Sequence, residues 1–208
     1  NRSFGESLYS HLSKLIDFND IRSVLEVGGG YGFLMKDLLN CAPQLKPVMI
    51  DISPVLLEKQ RVLLGESVAG YVRDDFFRQD ASFFKGFDLV IMNEVVGDFP
   101  VVVDLGLPEF SFGDDAGSGA VSMATALIRN YSLEVPKGGP FNLNSGAVQA
   151  VEKLCRSGVR TFFISEHSCE ARTAPAMKGL MEVAEAGFPE RIPLKGHNEY
   201  TVKFSHLG

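Results

Sequence analysis

The chain has 208 residues, 45% hydrophobic and 22% charged, which suits one soluble α/β domain with a substantial core. Its net charge is −6 and its Lys and Arg are scattered singly, which argues against a nucleic-acid partner. Cys41, Cys155 and Cys169 lack CxxC spacing, which argues against a disulfide frame or zinc site and for reduced thiols in the cytoplasm. No apolar run reaches the roughly 20 residues that cross a bilayer, and neither a signal peptide nor a membrane partner is expected. The opening at Asn1 leads us to expect a further N-terminal segment.

In chain order, Phe4, Leu8, Leu12, Leu15 and Ile16 form an apolar stripe that predicts a helix over about 3–18. Ser23 to Val27 predicts a strand carrying Glu26. It meets glycines at alternate positions, Gly28, Gly30 and Gly32, and a helical pattern from Phe33 that stops before Pro43. This is the strand–tight loop–helix of a nucleotide-cofactor loop in an open sheet. A dinucleotide loop needs Gly or Ala where this chain has Phe33, and a P-loop needs a Lys-Ser or Lys-Thr that is absent. The remaining pattern, E-x-G-x-G-x-G, resembles the first motif of class I S-adenosylmethionine (SAM) dependent methyltransferases.

Strand two, about Val48 to Asp51, ends in a carboxylate 25 residues after Glu26, where that resemblance places the acid that holds the ribose hydroxyls. Capping of a helix near Pro54 is the competing role for Asp51. A helix follows over Val55–Leu64, then a short strand, Tyr71 to Arg73, entering Asp74-Asp75-Phe76-Phe77. There the resemblance gives Asp74 or Asp75 the adenine amine as partner, and a short helix beginning near Phe76 gives them the role of N-cap. Phe87 to Met92 is a fourth, fully buried strand. The β-α alternation predicts a doubly wound, mostly parallel sheet. Asn93 and Glu94 follow at the carboxyl edge, where ligands of such sheets bind. They are the candidate catalytic pair, although Asn93 can also form a turn through its own side chain.

The second half is less regular. A mobile loop is predicted over 110–120, a helix over 121–128, a turn over 136–140 and a helix from 144–146 to Cys155. Strands are predicted over 161–165 and 199–204. Residues 102–145 form an expected insertion or lid within a single domain spanning 1–208.

The segment Ile52-Ser53-Pro54-Val55-Leu56-Leu57-Glu58-Lys59-Gln60-Arg61-Val62-Leu63-Leu64 resembles the SP-x-L-x-x-x-Q-x-x-x-L helix of the MidA-like SAM-dependent methyltransferases. Asn93-Glu94-Val95-Val96-Gly97-Asp98-Phe99-Pro100-Val101 is similar to that family's NE-x-x-D-A-x-P-V segment. Phe4-Gly5-Glu6-Ser7-Leu8 and Gly196-His197-Asn198-Glu199-Tyr200-Thr201-Val202 resemble its first helix and its late stretch. Two departures stand out. The family's acid falls at Gly97, with Asp98 one place later, and its I-D-Y-G turn reads Ile164-Ser165-Glu166-His167. Glu166 is a stand-in acid, and His167 is a candidate base or a structural histidine.

The resemblance implies SAM as cofactor, bound by Glu26, Gly28, Gly30, Gly32, Asp51, Asp74 and Asp75. It implies methyl transfer to a nitrogen or oxygen acceptor, with a protein arginine side chain as one candidate. A small-molecule acceptor is the second reading, and a non-catalytic assembly or scaffold protein the third. No metal is required, and no metal-ligand cluster is visible in the sequence.

Overall fold

The computed structural model describes residues 2–106, 119–172 and 186–208. In chain order the elements are α1 (Phe4–Leu12), β1 (Ser23–Val27), α2 (Phe33–Cys41), β2 (Lys46–Asp51), α3 (Pro54–Leu64), β3 (Gly70–Arg73), α4 (Ala81–Phe84), β4 (Leu89–Asn93) and β5 (Val102–Leu105). They continue with α5 (Gly119–Tyr131), β6 (Phe141–Leu143), α6 (Ser145–Arg156), β7 (Phe162–Ser165), β8 (Arg191–Pro193) and β9 (Asn198–Tyr200). The chain forms two compact units. One holds Asn1–Val95 with Lys153–Ser165, the other Val96–Glu152 with Glu166–Gly208.

The first unit is built on a five-stranded sheet in the order β3-β2-β1-β4-β7, every neighbouring pair parallel. The continuous apolar runs Leu89-Val90-Ile91-Met92 and Val24-Leu25 are inaccessible to solvent, as strands covered on both faces must be. Asp88 sets where β1 and β4 begin, because its carboxylate accepts from the amides of Arg22 and Ser23 and from the Ser23 hydroxyl, each at 2.9 Å. After β1 the chain pairs outward to β2 and β3, and it returns to β1's other side with β4. The strand order therefore reverses between β1 and β4, the place where open α/β sheets bind ligands. This is the doubly wound sheet expected from the alternation.

Helix ends follow local chemistry. Ser3 and Glu6 form a reciprocal capping box at the start of α1, with bonds of 3.2 and 2.9 Å. The helix is shorter than the stripe predicts. Ser13 turns its hydroxyl back to the Tyr9 carbonyl at 2.7 Å, and Asp17 captures the Asn19 amide at 2.8 Å, which commits the backbone to turns. Leu15, counted into the stripe, is exposed.

In the second unit, β5 and β6 pair antiparallel over a core of Val102, Leu105, Ala124, Phe141 and Leu143. Helix α5 begins at Gly119, two residues before the predicted start, and runs on to Tyr131. Gly119 and Ala120 are helical, and the remainder of the predicted loop, 110–118, lies outside the described residues. The predicted final strand is broken. Residues Asn198–Tyr200 pair antiparallel with β8, Val202 bridges to Ser168, and Phe204–His206 is a 3₁₀ turn. Lys203 is buried, with Nζ 3.1 Å from both Glu134 and Glu170.

Candidate functional site

The loop after β1 turns by placing Gly28, Gly30 and Gly32 at φ of +63°, +54° and +85°. Two of these glycines differ in their surroundings. A Cβ on Gly28 would lie 2.5 Å from Cγ2 of Val95, so the loop passes against the chain leaving β4 at van der Waals limits. A Cβ on Gly30 would meet no atom within 4 Å among the described residues beyond its chain neighbours. Gly30 thus turns a bare, left-handed backbone toward open space, which is what close approach of a ligand requires. The Gly28 amide donates to the Ile50 carbonyl at 2.9 Å, which fastens the loop to the end of β2. Gly32 is the N-cap of α2 and offers no side-chain acceptor, so the first amides of that helix lack a side-chain cap.

Asp51 ends β2 and is largely buried. Its Oδ1 accepts from the Ser53 amide at 2.8 Å and its Oδ2 from Gln60 Nε2 at 3.4 Å. Burial raises its pKa above the ordinary value, and the hydrogen bonds from Ser53 and Gln60 work against that rise. The N-cap of α3 is Ser53, which accepts from the Leu56 amide at 3.3 Å, with Pro54 in the first turn. Capping therefore does not account for Asp51. Gln60, to which the sequence reading gave no role, joins the loop to this acid. Its wholly buried amide also donates to the Gly30 carbonyl at 2.9 Å.

Glu26 sits within β1, 2% exposed, and its Oε2 has no hydrogen-bond partner among the described residues. Desolvation pushes its carboxyl up to about 8. Asp74 and Asp75 follow β3 and are engaged locally. Asp74 accepts from the Asp75 amide at 2.8 Å and from Gln79 Nε2 at 2.6 Å. Asp75 caps the 3₁₀ turn Phe76–Arg78 through the Phe77 amide at 2.8 Å. Phe76 is buried against Phe84, with ring centroids 5.0 Å apart.

Asn93 closes β4. Its Oδ1 is buried and has no hydrogen-bond partner among the described residues. Glu94 is exposed and holds φ +50°, an uncommon conformation for a residue with a side chain. Its amide donates to the Ser165 carbonyl at 2.8 Å, which steadies the turn. Glu26, the glycines, Asp51 and Asn93 thus all lie on β1, β2 and β4 or on the loop leaving β1. A separate cleft of about 480 Å³, lined by Tyr9, Lys14, Asp17, Cys41 and Gln44, lies at the amino-terminal edge of the sheet and holds none of the candidate residues.

In the second unit, Glu166 takes up the place left by Gly97. Its Oε2 accepts from the Gly97 amide at 3.0 Å, and a Cβ on Gly97 would stand 3.2 Å from its carboxyl carbon. His167 turns back on the same group, with its amide at 2.9 Å and its Nδ1 at 3.3 Å from Oε1. Both groups are thus held by local structure.

Among proteins of known family, residues 25–105 match the family model described as a methyltransferase domain. Over 72 residues the chain is 31% identical to the malonyl-[acyl-carrier protein] O-methyltransferase of Anoxybacillus flavithermus, covering 35% of this chain and 27% of that enzyme. The chain therefore spans about a quarter of the length of that relative. The solved N-terminal domain of EvdMO1 with SAH bound superposes with a TM-score of 0.52 at 10% identity, over 100% of this chain and 70% of that one. The fold is that of the class I, Rossmann-like methyltransferases. Among the described residues, no helix is long and apolar enough to cross a membrane.

Proposed function

We propose, starting from the SAM-dependent methyltransferase domain that residues 25–105 carry, that this protein transfers a methyl group from SAM to an oxygen nucleophile on a small or carrier-bound molecule. The observation that carries the reading is the loop Gly28–Gly32 at the strand-order reversal, with Gly30 facing open space and tied through Gln60 to Asp51. The oxygen acceptor is supported by the local identity to an O-methyltransferase.

The residues present fit the cofactor. Gly30 exposes backbone to it, and Asp51 has a carboxylate to offer two hydroxyl groups of a ribose. Glu26 and Asn93 each hold a buried oxygen without a partner among the described residues, the kind of atom a bound ligand satisfies. Asp74 and Asp75 stay at the margin of the site in this reading, because their oxygens already serve the turn after β3. When bound, SAM supplies a methyl group on a positively charged sulfur.

The protein's part is then mostly positional, worth about 7–11 kcal/mol when the reacting atoms are held in line. Asn93 accepts a hydrogen bond from the donor atom of an acceptor and orients its lone pair. Glu94, exposed at the same strand end, takes the proton that a hydroxyl nucleophile releases.

Calorimetric titration with SAM, and separately with NADH, tests the cofactor. We expect SAM alone to bind, near micromolar or about −8 kcal/mol, and Asp51→Ala to weaken it at least about tenfold. No heat with SAM from folded protein would sink the reading and bring the scaffold role forward. Radiolabelled SAM offered with hydroxylated small molecules, acyl carriers and arginine peptides then sorts the acceptors. Label on arginine peptides alone would overturn the oxygen assignment.

A further inference from the structure

Two stretches singled out in the sequence, Gly97-Asp98 and Gly196-His197-Asn198-Glu199, meet in the second unit. We propose that Asp98, His197 and Glu199 bind one divalent transition-metal ion of the zinc type. His197 Nε2 lies 3.3 Å from Asp98 Oδ1 and 3.6 Å from Glu199 Oε1. One ligand atom from each of the three residues lies within 4.8 Å of the other two. A tetrahedral zinc ion, with bonds of about 2.0–2.2 Å to nitrogen and oxygen, places neighbouring ligand atoms about 3.4 Å apart. The side chains already stand near the separations that such an ion imposes.

The scaffold that brings them together is fixed by other contacts. His197 and Glu199 are two residues apart, and Glu199 pairs with Ile192 across the β8–β9 hairpin, so extended backbone puts both side chains on one face. Gly196, at φ +100°, makes the turn, and the Leu194 amide donates to the His197 carbonyl at 3.1 Å. Gly97 lets the hairpin approach, since a Cβ there would stand 2.9 Å from the Tyr200 carbonyl oxygen. That approach delivers Asp98, at the end of the 3₁₀ turn Val96–Asp98, to the imidazole.

An ion pair explains one carboxylate beside His197 and leaves the second without a reason. Two carboxylates beside one imidazole repel each other. A dication would neutralise both acids. One nitrogen and two oxygens form a borderline donor set that suits zinc and its neighbours, whereas magnesium and calcium favour oxygen alone. All three side chains keep solvent access, at 41%, 53% and 25% for Asp98, His197 and Glu199, which leaves room for water as a further ligand.

The test is calorimetric titration of the chelator-treated full chain with zinc chloride, repeated with Asp98→Asn, His197→Ala, Glu199→Gln and a control in the first unit, His11→Ala. Circular dichroism checks that each variant is folded. We expect one equivalent to bind at about 10 μM or tighter, a loss of about 30-fold or more in each site variant, and none in the control. Cobalt(II) should show the strong visible absorption of a tetrahedral site, lost in His197→Ala. Absence of saturable binding below about 1 mM would overturn the proposal, as would affinity unchanged in folded His197→Ala or Glu199→Gln.

Discussion

The buried amide of Gln60 donates to Asp51 Oδ2 across 3.4 Å, and this contact makes α3 the strut between the acid at the end of β2 and the glycine loop. Replacing Gln60 with Leu leaves the Gly30 carbonyl and the Asp51 carboxylate each short of a donor. We expect a stability loss of about 1–3 kcal/mol in urea unfolding, together with SAM affinity about tenfold weaker by calorimetry. A variant that loses stability but binds SAM normally would separate Gln60 from the cofactor site.

Gly28 and Gly30 should fail in different ways. Alanine at 28 meets Val95 as well as an unfavourable φ, so folding stability should fall by about 2 kcal/mol or more. Val95→Ala in the same chain should recover part of that loss. Alanine at 30 carries the φ penalty of about 1 kcal/mol without a clash, yet it fills the space beside the exposed backbone. Its thermal unfolding should change little while SAM binding falls strongly.

Glu26 gives the ligand-free protein a definite pH dependence. Its folded value, about 8, stands above the ordinary 4.5, so the native state retains a proton that the unfolded chain gives up. The stability from burying the neutral acid is complete below pH 4.5 and is lost as pH rises to about 8, on the order of 5 kcal/mol across that window. Urea unfolding between pH 5 and 8.5 should show this fall. Glu26→Gln should flatten it, and a slope that survives the substitution would assign the effect elsewhere.

Asn93 sets stability against activity. Its buried Oδ1 lacks a partner among the described residues, so Asn93→Leu removes an unsatisfied group and should leave the unfolding temperature unchanged or raised. Turnover of an identified acceptor should fall by about 100-fold, with SAM affinity altered less. A drop in unfolding temperature with activity intact would make Asn93 a structural residue.

How far the sequence carried the reading depended on the range of the interaction. β1 was legible to the residue, because its apolar run and the glycines after it are local signals. Asp51 could be located for the same reason, at the end of its own strand. The N-cap role of Asp75 was visible as one of two readings, since capping acts over three residues. Gln60 carries no local signal of its role, because its partners lie 9 and 30 positions away. The protonation of Glu26 depends on neighbouring strands that remove water, and no local pattern records that. Asp98 and His197 lie on turns far apart in the chain, so only the packing of the hairpin against Gly97 reveals their meeting.

The sheet order also fixes when the first unit can be finished. Strands β1, β2, β3 and β4 all lie within residues 23–93, so they and the glycine loop are available early as the chain leaves the ribosome. The free side of β4 waits for Phe162–Ser165, more than 60 residues later. Through that interval its unpaired N–H and C=O groups, set among fully apolar side chains, form an edge that other chains can join. Fragments that end before residue 162 should therefore aggregate even though they contain the whole glycine loop, and expression trials should keep β7.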